Sequence, residues 1–191
     1  QSIQLPGISG MENNMVILEF DREDPKNLKE IVENFPLVSA GSFDVCILAS
    51  SERSIKYKNG IHVWIKSEDF ENSHLMILLS FIIQGHPSWR RSDIKIFDVC
   101  KKEEEEEIRK NLEELVRTGR LPITSKNIQI ITRTPDRNIR ELITEHSALA
   151  GLTIIGFRSE LLKHEGGKIF QGYDEMGDIL FVNSHSQKEI E

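Results

Sequence analysis

The sequence predicts an α/β domain in which helices cover both faces of a mostly parallel sheet. Short apolar runs alternate with helix-period segments along the 191-residue chain. Helical segments of about 10 to 17 residues separate the runs, which suits right-handed crossovers between parallel strands. A chain of this length can also bury roughly 70% of its unfolded surface, enough for a full core without disulfides or metals.

Met15–Phe20 is the first apolar run. Asp24-Pro25 follows as a helix-opening pair, and Leu28, Ile31, Val32 and Phe35 recur at helical spacing until Pro36, which is expected to close that helix. Val45–Ala49 reads as the second strand. Ile61–Lys66 alternates strictly, with Ile61, Val63 and Ile65 on one face and His62, Trp64 and Lys66 on the other. That is the pattern of an exposed or edge strand, antiparallel pairing included.

The helix from about Glu71 to Gln84, closed by Gly85 and Pro87, is apolar nearly all round, from Leu75 through Leu78 to Ile83. It is expected to be buried on several sides, with Leu78 facing the sheet and another layer or subunit covering the rest. Ile94–Val99 is a strand. Lys102–Arg117 is an amphipathic helix with Ile108, Leu112, Leu115 and Val116 inward. Ile128–Ile131 is a strand, and Thr134-Pro135-Asp136 opens a helix with Ile139, Leu142 and Ile143 inward. Leu152–Ile155, an irregular stretch over Leu161–Gly172, and a last strand Ile179–Val182 complete the chain.

Composition narrows the function. Lys and Arg number 24 against 31 Asp and Glu, a net charge of −7, so nucleic acid and acidic membrane surfaces are disfavoured partners. The longest apolar run, Leu75–Ile83, is broken by Ser80 and falls short of the roughly 20 residues that span a bilayer. No secretory leader is expected. Cys46 and Cys100 lie in separate apolar runs with no C-x-x-C pair, as inert buried thiols would.

No catalytic constellation emerges. The run Glu103–Glu107 opens a helix, where negative charge meets the positive end of the dipole, and reads as a solvated face. His62, His74, His86, His146, His164 and His185 show no zinc-ligand spacing, and no metal or cofactor is expected. There is no P-loop, no G-x-G-x-x-G and no nucleophile elbow.

Two resemblances sharpen the reading. Leu152–Ser159 (LTIIGFRS) is similar to a strand end of universal stress proteins, whose nucleotide loop reads G-x-x-G, nine residues, then G-[ST]. Gly156 fits, but Ser159 replaces the second glycine and Ile169 the third. This implies a universal-stress-protein-like, Rossmann-like fold without the ATP loop, and leaves a nucleotide-binding stress-type protein as the alternative function.

His74–Phe97 (HLMILLSFIIQGHPSWRRSDIKIF), together with Ile61–Ile65 carrying Trp64, resembles the cytoplasmic C-terminal domain of cation-chloride cotransporters. In that family an alternating strand, an apolar helix, a Trp-Lys/Arg pair and a strand like K-I-R-V-F follow in order. Gly7–Phe20 (GISGMENNMVILEF) is similar to the family's G-L-G-x-M-x-P-N-T-L-V-L-G-F. Gly7, Met11, Asn14, Leu18 and Phe20 match it, while Ser9, Asn13 and Glu19 depart.

The resemblance implies a non-catalytic regulatory and dimerisation domain, cytoplasmic in an integral membrane carrier of sodium or potassium with chloride. Its expected partners are a second copy and the transmembrane part of the parent. Residues 1–14 would be a lead-in from a preceding half-domain, with which the start at Gln1 agrees, and residues 15–191 the α/β regulatory domain. Trp64, Leu75, Leu79 and Trp89 are the candidate interface residues.

Overall fold

The computed structural model describes residues 15–118 and 123–185. The lead-in of residues 1–14, with its Gly7 and Met11 matches, lies outside the described residues. Among the described residues seven strands are present: β1 (Met15–Asp21), β2 (Asp44–Ser50), β3 (Ile61–Lys66), β4 (Ile94–Cys100), β5 (Ile128–Thr132), β6 (Leu152–Gly156) and β7 (Asp178–Asn183). Five helices join them: α1 (Lys26–Ala40), α2 (Ser73–Gln84), α3 (Glu105–Thr118), α4 (Ile139–Ser147) and α5 (Ser159–Glu165).

The strands form one sheet in the order β1-β2-β7-β6-β3-β4-β5. β7, β6, β3, β4 and β5 run parallel, β1 and β2 are parallel to each other, and β2 meets β7 antiparallel. The fold is therefore α/β with a mostly parallel sheet, as the alternation predicts.

Side-chain alternation along the strands splits the core in two. Val45, Ile47, Trp64, Phe97, Ile155 and Phe181 face α1, α4 and α5, with Leu28, Phe35, Ile143 and Leu162 packed on them. Cys46, Ile61, Val63, Ile65, Ile96, Ile154 and Val182 face the other way, onto Met76 and Ile77 of α2.

Four expectations are corrected. First, β3 is neither exposed nor an edge: it lies between β6 and β4, parallel to both, with all but Lys66 buried. The division of its faces is as the alternation predicts, but both faces are covered. Second, Pro36 does not close α1. The helix continues to Ala40 because Phe35 is buried and Val38 packs on the same core, which outweighs the roughly 3 kcal/mol that an interior proline costs.

Third, α4 begins at Ile139 rather than near Thr134. Asn138 caps it, its side chain accepting from the Arg140 amide at 3.0 Å. Fourth, Leu78 faces solvent, 45% exposed. In α3, Leu112 is buried as expected; the side chains of Leu115 and Val116 lie outside those described. The irregular stretch resolves into α5 and a 3-10 turn over Gly166–Phe170.

Candidate interaction surface

α2 is built inside out. The face it turns to the sheet carries Ser73, Met76, Ile77 and Ser80, all fully buried. Small serines let the helix sit close to β3 and β6, and Ser80 satisfies its hydroxyl locally by donating to the Ile77 carbonyl at 2.6 Å. The face turned away carries Leu75, Leu78, Leu79 and Ile82, an i, i+3, i+4, i+7 stripe. Leu78 is 45% and Ile82 62% exposed, while Leu75 and Leu79 flank them half-buried against the core. A helix that buries serines and shows leucines presents an apolar outer layer that water does not favour.

Of the four candidate interface residues, the structure brings Leu75 and Leu79 to this stripe and places the other two elsewhere. Trp64 is fully buried and cannot touch a partner: its ring stacks on Phe97 at 4.5 Å, and its indole N–H donates to Ser147 Oγ at 2.9 Å. Trp89 is buried at the opposite end of α2, edge-on to Tyr57 at 4.8 Å. Leu78 and Ile82, the most exposed members of the stripe, are not singled out by the sequence. The signal that could have found them is the pair Ser73 and Ser80, seven residues apart, which fixes the phase of the helix once they are taken as inward.

Behind Trp64 lies a buried polar relay. Ser147 Oγ, itself fully buried, sits 2.7 Å from His62 Nδ1. The Ser147 oxygen accepts from the Trp64 indole and shares a second hydrogen bond with the His62 ring, so one hydroxyl serves both groups. Burial, then the nearby Lys95 and His146, pushes the His62 pKa down to about 4. A serine beside a histidine resembles a nucleophile and its base. Here the serine oxygen is sealed from solvent and occupied by the indole, so the pair is structural.

The loop after β6 is closed to phosphate. Phe157 follows Gly156, is buried between Phe35 and Phe170, and donates its amide to the Val182 carbonyl at 3.0 Å. Its carbonyl accepts from Asn72 and Asn183, each at 3.0 Å. Ile169 is buried in the core as well. A phosphate cradle needs free amides approached without side chains; at Phe157 the amide is engaged and the ring is packed into the core. Beside it, at the carboxyl ends of β3 and β4, a crevice of about 340 Å3 is lined by Lys66, Lys101, Arg133 and Arg158, with Glu68 3.6 Å from Arg133.

The cysteines are free and buried. Burial, reinforced by Asp44, pushes the Cys46 thiol up to about 12; burial and then Asp98, Glu105 and Glu104 raise that of Cys100. Among the described residues no His, Cys, Asp and Glu cluster is placed to hold a metal, and no helix is long and apolar enough to cross a membrane.

No protein-family model matches the chain, and no curated protein matches it in sequence. Solved structures do. The cytoplasmic domain of a prokaryotic cation chloride cotransporter superposes with a TM-score of 0.60 at 16% identity, over 92% of this chain and 66% of that one. A functionally unknown protein from Pseudomonas aeruginosa PAO1 (TM-score 0.49, 16% identity, 91% and 64%) and a putative universal stress protein from Pseudomonas aeruginosa UCBPP-PA14 (0.47, 16%, 88% and 62%) are also similar. The chain shares its fold with the cotransporter domain and spans 66% of that domain's length.

Proposed function

We propose that this chain is a non-catalytic regulatory and dimerisation domain, cytoplasmic in its parent, of a membrane carrier that moves sodium or potassium with chloride. The observation that carries the proposal is the outward apolar stripe of α2, on a fold shared with a cotransporter's cytoplasmic domain. Leu78 and Ile82 alone expose too little for a stable pair, since a specific interface buries about 800 Å2 per partner. The stripe is therefore the centre of a contact completed by further surface, from a preceding half-domain or from the transmembrane part of the parent.

Sedimentation velocity over a hundredfold range of concentration tests the reading, applied to this chain and to one lengthened upstream in its coding sequence. The lengthened chain should form a two-fold dimer, the commonest closed assembly, while this chain pairs weakly, at micromolar affinity or worse. A lengthened chain that stays monomeric throughout contradicts dimerisation.

Nucleotide binding is the second reading, and the cationic crevice beside Lys66 and Arg158 is the observation in its favour. The engaged amide and buried ring of Phe157 weigh against it. Low-micromolar ATP binding by calorimetry would place it first.

A further inference from the structure

At the end of the sheet opposite that crevice, where β3 and β4 begin, a groove of about 760 Å3 lies between residues 55–59 and residues 87–92. Lys56, Lys58, Arg90 and Arg91 line it, all exposed, and no carboxylate does. Among the described residues none of the four has an ion-pair partner within 4.0 Å. On a chain of net charge −7 such a concentration of cations is a local inversion of the protein's field. Ile55 and Tyr57 stand exposed on the same wall.

The groove is preformed. Trp89 packs edge-on to Tyr57, which holds the two 3-10 turns, Tyr57–Asn59 and Pro87–Trp89, side by side. Asn59 Nδ2 donates to the Leu149 carbonyl at 2.6 Å, Gln84 Nε2 to the Ser92 carbonyl at 2.6 Å, and Ser92 Oγ to the Trp89 carbonyl at 2.5 Å. Gly151 lets the chain before β6 pack close behind the two turns: a Cβ there would lie 2.6 Å from the Lys56 carbonyl and 2.9 Å from the Trp89 ring. Little ordering entropy remains to be lost when a ligand arrives.

We propose that this groove, formed by Lys56, Lys58, Arg90 and Arg91 around Tyr57, binds an extended acidic peptide segment, its acids carboxylate or phosphorylated side chains. The proposal is independent of dimerisation and of the parent's identity. A concave site suits an extended chain rather than the plane of a bilayer. The Arg90 and Arg91 forks suit bidentate acids, and Ile55 with Tyr57 offer apolar contact to residues between them. A duplex nucleic acid would meet repulsion from the remaining acidic surface.

Fluorescence anisotropy with a labelled octapeptide of six glutamates and two leucines tests it, on the whole chain at low salt. Saturable binding tighter than about 100 µM is expected. It should weaken about tenfold in Arg90→Gln/Arg91→Gln and stay within about twofold in Lys101→Gln/Arg133→Gln at the far end. Circular dichroism melting should show both variants folded, and Lys56→Gln/Lys58→Gln provides a second reading of the groove. Absence of saturable binding, or equal weakening by the near and far pairs, overturns the proposal. So does tighter binding of vesicles containing anionic phospholipid through the same arginines. Self-association lost in Arg90→Gln/Arg91→Gln would also overturn it, by making the Glu103–Glu107 run of a second copy the occupant.

Discussion

The Trp64 indole N–H donates to Ser147 Oγ at 2.9 Å, joining the middle of β3 to the last residue of α4 across 83 positions of sequence. The same oxygen serves His62 Nδ1 at 2.7 Å. One hydroxyl thus satisfies two polar groups that β3 carries into the core.

Ser147→Ala leaves both groups buried without that partner. An unsatisfied buried group costs about 1–3 kcal/mol, so a loss of about 2–4 kcal/mol is expected by urea denaturation. A variant within about 0.5 kcal/mol of the parent, the scatter of ordinary surface changes, would mean the relay does not form.

His62 gives the relay a pH signature. Its folded pKa of about 4 lies below the ordinary 6.5, so the unfolded chain binds the extra proton first. The His62 contribution to stability should be full above pH 6.5 and fall as pH drops through 6.5 toward 4, where its loss levels off. With each pH unit between the two values contributing about 1.36 kcal/mol, the whole loss is roughly 3 kcal/mol. His62→Gln should flatten that part of the stability profile; an unchanged difference between pH 7 and pH 4 would remove His62 as its source.

The relay also explains why β3 looks like an edge strand in the sequence. His62, Trp64 and Lys66 on one face resemble a wetted surface, because their partners lie far away along the chain. Ser147 is one small residue in a helix, and nothing local marks it as the acceptor. The succession of strands and helices, by contrast, is legible from hydrophobic period alone, and so are the two faces of β3. Pro36 misleads because the burial of Phe35 and Val38 is a tertiary effect.

The phase of α2 is hidden for another reason. In a helix apolar nearly all round, hydrophobic period alone gives no orientation, so Leu78 and Ile77 look alike unless Ser73 and Ser80 are taken as inward. The structure separates them, with Ile77 fully buried and Leu78 outward. Leu78→Asp should therefore cost about 1 kcal/mol in this chain, partly from helix propensity. Ile77→Asp, which buries an unpaired charge, should cost more than about 4 kcal/mol. Comparable melting temperatures for the two would contradict the orientation given to α2.

Cys46 and Cys100 should resist a thiol reagent such as DTNB at pH 8 in the native chain, since burial holds both thiols protonated. Two equivalents should react once the chain is unfolded in guanidinium. Rapid native labelling would place one of them at the surface.

If the outer face of α2 meets a partner surface, charge placed on that face must weaken the assembly. Sedimentation equilibrium of the upstream-lengthened chain, with and without Leu78→Glu/Ile82→Glu, measures this, since both changes are exposed and leave the sheet side of α2 untouched. A dimer is expected for the parent and at least a tenfold weaker one for the variant, about 1.4 kcal/mol, with both chains folded. An equally tight dimer in the variant would show that α2 does not form the contact.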